Sequence, residues 1–490
     1  MATTGMQRER GIAGGSAVLV GAVAATSVLN YGLGVALAWL LPPDRFGVVG
    51  TLLSLLLLAT SVLAAGFPWA LARAVAANHA DEAATFRAAL LGNVGLGLVL
   101  AVAFAAVQLP TGALLPGVGP VPTVLAAVTV VLLALGSVQV GALQGARRFD
   151  AVATTRVLEC VAKVILVVAA VTVFALGVAG VALALLISAA VAAAWSLRSL
   201  RDRLPGRGPV AAARVFADAV PLSVATTGFG ILGTLDVLLL GALGGGTGGA
   251  ALAVGVYQAA AIIGRAPFFL GSAVSEAAFP HIAAARTPAD AHRITANALR
   301  LIPLALVPLQ LVLLVAPDLV LSVVLPAAYA DATGPVRVIT LGTVGLLVAD
   351  TLLKALLARG FGRAVAARVP FAVAVQLAGL FLAVPQFGPV GAAWSFAAGS
   401  WTMAVLLAGA YLTRFRPPRP RPAPVVRWAA ALGVAAGAFL AADHAGTVPG
   451  AALVLLGLAA YLGIAARFGL VPADVAEHVR RRVRRPATES

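Results

Sequence analysis

A polytopic α-helical membrane protein is the fold class this sequence predicts, on three observations. The chain is 61% hydrophobic and only 11% charged, with a mean hydropathy of +1.02. A soluble domain keeps about a quarter of its residues charged, so this chain needs lipid as its outer medium. Apolar segments long enough to cross a bilayer recur along its whole length, parted by short breaks rich in Pro, Gly and Arg. Those arginines collect in every second break, as loop charges do when helices alternate in direction.

Length bounds the number of spans. At roughly 35 residues for a span of about 20 residues plus its connection, the chain holds about fourteen helices. The breaks place them near 12–41, 47–73, 86–109, 121–144, 152–174 and 178–198, then 216–242, 250–278, 296–316, 336–358, 365–384 and 389–413, with two more near 425–442 and 448–467. No stretch is polar enough for long enough to form a separate soluble domain.

Loop charge fixes the orientation. The even-numbered connections carry Arg87; Arg147 and Arg148; Arg198, Arg201, Arg203 and Arg207; Arg286 and Arg293; Arg359 and Arg363; and Arg414, Arg416, Arg419 and Arg421. The odd-numbered ones carry only Arg45 and Arg337. An error in the span count would scramble this pattern, so the expectation is both termini on the cytoplasmic side of a bacterial inner membrane. The net charge of +16 belongs to these loops and is no argument for a nucleic-acid partner.

The N-terminal apolar run follows MATTGMQRERG without a cleavage signal, and reads as a retained first helix. The tail PADVAEHVRRRVRR, Pro472 to Arg485, is a basic amphipathic segment suited to an anionic lipid surface. Cys160 is the single cysteine, which excludes an intramolecular disulfide.

The two halves echo one another. GFPWALARAVA from Gly66 matches EAAFPHIAAA from Glu276; GALQGARRFDAVA from Gly141 matches KALLARGFGRAVAA from Lys354; LGVAGVALALL from Leu176 matches FGPVGAAWSFA from Phe387. All three pairs lie about 210 residues, or six helices, apart. An even number of helices gives repeats of the same orientation, hence two six-helix lobes related by an axis along the membrane normal. The expected organisation is an N-lobe at 1–200, a C-lobe at 201–415, two further helices at 416–470 and a basic tail at 471–490.

Several of these segments carry a family resemblance. The first-helix exit LAWLLPPDRFGVVGTL (Leu37 to Leu52), GFPWALARAVA (Gly66 to Ala76) and GALQGARRFDAVA (Gly141 to Ala153) are similar to the polysaccharide flippases of the multidrug/oligosaccharidyl-lipid/polysaccharide (MOP) exporter superfamily. The resemblance runs over essentially the whole chain. It implies two lobes opening alternately to either side, and a cargo of oligosaccharide on a polyprenyl pyrophosphate. The implied partners are membrane lipid and, in the same pathway, a polysaccharide polymerase and glycosyltransferases.

Such cargo needs a cationic cleft, because neither glycan nor pyrophosphate enters hydrocarbon. Arg265, in the middle of helix eight, is the first candidate; its alternative is a structural ion pair, with Asp236 as partner. A charge there costs about 3 kcal/mol on insertion scales. Arg73 closes helix two, the repeat equivalent of helix eight, and could equally fix topology. Glu159 with Lys163, and Asp350 with Lys354, sit four apart on helices five and ten. Each reads as an intrahelical salt bridge, or as a gate or proton carrier. Lys163 and Lys354 join the candidate cargo cations; Asp236, Asp350 and Glu159 are candidates for ion coupling. Asn30, Gln139, Gln258 and Gln376 read as helix–helix glue before they read as ligands.

No metal or cofactor is expected: the five histidines show no ligand spacing, and GALGGGTGG from Gly241 lacks the Gly-Lys-Ser/Thr of a phosphate loop. No nucleophile–base pair suggests an enzyme. The rival functions are a cation-coupled multidrug exporter of the MATE type, a peptidoglycan lipid II flippase, and a membrane glycosyltransferase or ligase.

Overall fold

A computed structural model of the chain describes residues 2–76, 82–201, 213–244, 249–416 and 447–467, with Gly433 and Gly437. Every described element is helical and no strand occurs among the described residues. In hydrocarbon each backbone N–H and C=O must be satisfied within its own segment, and a helix does this.

The helices are α1 (Ala2–Leu40), α2 (Pro43–Leu63), α3 (Phe67–Ala76), α4 (Glu82–Thr111), α5 (Pro120–Gly145), α6 (Phe149–Thr172), α7 (Gly177–Leu200), α8 (Ala213–Leu232) and α9 (Leu235–Leu243). Then come α10 (Gly249–Ala284), α11 (Pro288–Val315), α12 (Pro317–Val324), a 3₁₀ turn (Ala327–Ala332), α13 (Thr333–Ala358), α14 (Gly362–Ala366), α15 (Val369–Phe415) and α16 (Thr447–Arg467). Every expected span coincides with helix except 425–442, which apart from Gly433 and Gly437 lies outside the described residues, as does the basic tail. The chain is thus a multi-pass membrane protein.

Nine helices among the described residues are long and apolar enough to cross a membrane, or ten with the bent pair α8–α9 taken as one. The shortfall from fourteen has local causes. Helix α6 carries Arg156, Glu159 and Lys163 along its length. Two expected spans run together in the 47 residues of α15.

Starts and breaks follow from sequence. Proline opens α2, α5, α11 and α12, where its missing N–H is no loss. Thr287 caps α11, its hydroxyl oxygen accepting from the Asp290 N–H at 3.1 Å. Helix two is broken in the structure: α2 ends at Leu63 and α3 restarts at Phe67 across Gly66, whose φ of +68° suits glycine. Helix seven is broken as well, with α8 and α9 meeting at 53°. Each break frees carbonyls, and an amide side chain answers each. Asn93 donates to the Leu63 carbonyl at 3.1 Å, and Gln376 donates to the Leu232 carbonyl at 3.1 Å. Gln376 therefore acts as glue, at the place where the backbone needs a donor. Within α15, Gly388 (φ +52°) kinks the helix into a hairpin whose arms touch at Gly379 and Ser395.

The chain divides into two compact units. The first comprises 1–262 and 362–402, the second 263–361 and 403–490. In the first, α5, α6 and α7 pack together around Leu71, Val138, Leu143, Val152 and Leu200. Gly141 and Gly145 of α5 lie against the α3 backbone at Pro68 and Ala72, and Gly47 of α2 meets Gly255 of α10 where those backbones cross. Small residues permit this approach where lipid supplies no hydrophobic drive between helices. In the second unit α13 is buried along most of its length, against α11 and α12. Tyr461 of α16 packs with Leu304 and Val312 of α11.

Candidate functional site

The first unit holds a half-open cavity of about 420 Å³, with mixed polar and apolar walls, between α1, α2, α5, α6 and α7 and bounded at one edge by α3. Its chemistry comes from α6. Arg156, Glu159, Cys160 and Lys163 stand at positions i, i+3, i+4 and i+7, the pattern that puts side chains on one helix face. That face looks into the cavity. Lys163 lies fourteen residues past Phe149, about 21 Å along the axis at about 1.5 Å per residue. The other walls add Thr26 and Asn30 from α1, Thr60 from α2, Trp69 from α3, Ser137 and Gln144 from α5 and Ser196 from α7.

The expected Glu159–Lys163 ion pair is not formed. The Lys163 ammonium donates instead to the Asn30 side-chain oxygen at 2.5 Å, tying α6 to α1. One turn away the Cys160 thiol lies 3.6 Å from the Thr26 carbonyl, a second link between the same helices. Glu159 thus stands on the cavity wall with Arg156 on one side and Lys163 on the other. With two cations and one anion, the charged lining carries a net charge of one positive.

The second unit holds the other pair, and there the salt bridge exists. Lys354 donates to Asp350 at 2.8 Å, lies 3.8 Å from Glu276 of α10, and donates to the Ser272 carbonyl at 3.3 Å. Asp350 is 4% exposed, and beside it Ser275 and Thr351, both buried, share a hydrogen bond of 2.9 Å. One cation between two carboxylates ties α13 to α10. Arg265 is half-buried on α10, two residues before Pro267, and the preceding Gly264 carbonyl accepts from Thr343 of α13 at 3.0 Å.

Asp236 begins α9 in the first unit and is fully buried. Its carboxylate accepts from the Tyr257 hydroxyl at 2.5 Å and from the Val237 N–H at 3.0 Å. Arg73 is exposed in the last turn of α3. The first unit therefore gathers Arg73, Glu159, Lys163 and Asp236, of which Glu159 and Lys163 share the cavity. The second gathers Arg265, Asp350 and Lys354, of which the last two are bonded. No cluster of metal-ligating side chains occurs among the described residues.

Comparison with known proteins fits this architecture. The polysaccharide biosynthesis protein family matches residues 12–285, more than half of the chain. The chain belongs to that family. No match was found among curated proteins. Among solved structures, the lipid II flippase MurJ in an inward closed conformation superposes with a TM-score of 0.72 at 11% identity, covering 92% of this chain and 98% of its own. An inward-facing multidrug resistance MATE family transporter of the MOP superfamily gives 0.59 at 14% identity, covering 82% and 98%. A MOP superfamily transporter from Pyrococcus furiosus gives 0.52 at 16% identity, covering 83% and 95%. These likenesses show that this polysaccharide biosynthesis family member has the fold of MOP-superfamily transporters.

Two residues of these sites, Arg156 and Glu276, escaped the sequence reading. Arg156 was legible, since it falls three residues before Glu159 on the same face, yet it lies close enough to the helix start to pass for a loop charge. Glu276 was masked by its distance in sequence from Lys354. Asn30 acts as the helix–helix glue expected of it, with Lys163 of α6 as its partner.

Proposed function

We propose that this protein moves a polyprenyl-pyrophosphate-linked oligosaccharide from the cytoplasmic to the outer leaflet, for cell-surface polysaccharide assembly, by alternating access. The observation that carries this reading is the net-cationic cavity lined by α6, in a multi-pass chain of the polysaccharide biosynthesis protein family. Charged side chains within a membrane helix are expensive and persist where they serve a path. Glycan and pyrophosphate travel in that path while the polyprenyl tail stays in lipid. No covalent bond is made or broken.

In this proposal Arg265 and Arg73 meet the phosphates, since a guanidinium fork donates paired hydrogen bonds to phosphate oxygens. Lys163 presents its charge to the cargo within the first unit. Lys354, held by Asp350 and Glu276, serves the frame of the second unit. Asp236 and Glu159 are the acids available for ion coupling. The two-lobe organisation, the fourteen spans, inner-membrane location and cytoplasmic termini belong to the same proposal, resting on loop charge and the internal repeat.

The test is the pool of lipid-linked precursor in cells depleted of this protein. Accumulation on the cytoplasmic leaflet with loss of surface glycan supports the proposal. Accumulated lipid II would assign the chain to peptidoglycan assembly. A normal pool with heightened sensitivity to cationic drugs would make it a multidrug exporter.

A further inference from the structure

From the lining of the cavity in the first unit, we propose that it is a subsite for one anionic sugar unit of the cargo, distinct from wherever the pyrophosphate is held. This rests on the flippase reading above and narrows it to acidic glycans.

Three features of the wall point the same way. The first is the neutral lining. Trp69, 42% exposed, supplies a flat apolar surface, and Thr60, Ser137 and Gln144 supply hydroxyl and amide groups. A sugar ring offers an apolar C–H face and a rim of hydroxyls, which such a wall complements. The second is charge. Lys163 spends one of its three N–H donors on Asn30, leaving two for a ligand, and Arg156 adds a guanidinium. Glu159 between them accepts from sugar hydroxyls. The net charge of one positive matches a single carboxylate. A pyrophosphate, with more negative charge, would meet Glu159 in the same wall and leave part of its own charge unbalanced. The third is size. At about 420 Å³ the cavity lies at the lower end of ligand pockets, room to seat one sugar unit or two.

The test uses the full-length protein in detergent, with methyl glucuronide and methyl glucoside as probes. These share a ring and differ in one carboxylate. Ligand-observed saturation-transfer NMR reads both, with inorganic pyrophosphate as competitor. The expected result is glucuronide binding about tenfold tighter than glucoside, the ratio of one charge-assisted hydrogen bond. Lys163→Gln should bring the ratio close to one while glucoside binding persists. Arg156→Gln should reduce the ratio also, without touching the Asn30 link. Equal affinities in the native protein, binding of neither sugar, or displacement of glucuronide by lower concentrations of pyrophosphate would each overturn the subsite. The binding assay does not depend on transport. Precursor accumulation on depletion together with equal sugar affinities would overturn the subsite and leave the flippase reading standing.

Discussion

Removing the Lys354 ammonium should destabilise the second unit more than any single carboxylate change there. At 2.8 Å the Lys354–Asp350 attraction is about 6 kcal/mol gross at an effective dielectric of about 20, and desolvation offsets much of it. The asymmetry lies in what each variant leaves behind. Lys354→Met strands Asp350, whose side chain is 5% exposed, beside Glu276 with no cation between them. Stranding a buried charge costs about 3–5 kcal/mol. Asp350→Asn leaves Lys354 with Glu276 at 3.8 Å, a carboxylate 39% exposed and therefore screened; the loss there should be about 1–2 kcal/mol. In the double variant neither buried charge remains, and stability should return to within about 1 kcal/mol of the native protein. The assay is equilibrium unfolding of the purified protein in mixed micelles, read as a double-mutant cycle. A Lys354→Met variant as stable as the native protein, or a double variant as unstable as the sum of the singles, would refute a structural ion pair.

Three further outcomes follow from the geometry. Arg265→Ala should abolish precursor flipping with normal membrane insertion, and Arg265→Lys should restore only part of it, because an ammonium lacks the planar fork; flipping measured in membrane vesicles decides, and full activity of the alanine variant would remove Arg265 from the phosphate path. Gly255→Ala places a methyl against the Pro43 carbonyl, a backbone atom that cannot rotate away; the overlap should cost about 1–3 kcal/mol and outweigh the helix gain of about 1 kcal/mol, whereas Gly95→Ala, with open space around it, should stabilise, both read as thermal midpoints in detergent. Asn93→Leu removes donors to the Leu63 and Ala134 carbonyls and also an unmet amide oxygen, so the net loss in the same assay should be modest, about 1 kcal/mol, given the small value of such bonds in membranes.

The membrane fold was legible because hydropathy and loop charge are long-range averages that survive local error. Breaks inside spans were not. Gly66 marks the interruption between α2 and α3, but Pro221 in α8 and Pro267 in α10 leave their helices continuous, so a breaker residue alone does not locate a break. What decides is a partner such as Asn93 or Gln376, distant in sequence and ready to take the freed carbonyl. The charge pairs divided for a related reason. The spacing of Glu159–Lys163 equals that of Asp350–Lys354, yet only the second closes. Asn30 stands closer to Lys163 than Glu159 does, whereas Lys354 keeps Asp350 at 2.8 Å even with Glu276 at 3.8 Å and the Ser272 carbonyl at 3.3 Å. Spacing along one helix states what two side chains can do, and the neighbouring helix chooses.

The single thiol has a practical bearing. Cys160 lines the cavity yet is 3% exposed and turned toward Thr26 of α1. A maleimide can reach it only when α1 and α6 part, so the native chain is its own reporter: one label, one position, no engineered background. The alkylation rate would count openings of that seam over time, and a bound sugar that loosens or seals it would quicken or slow the count.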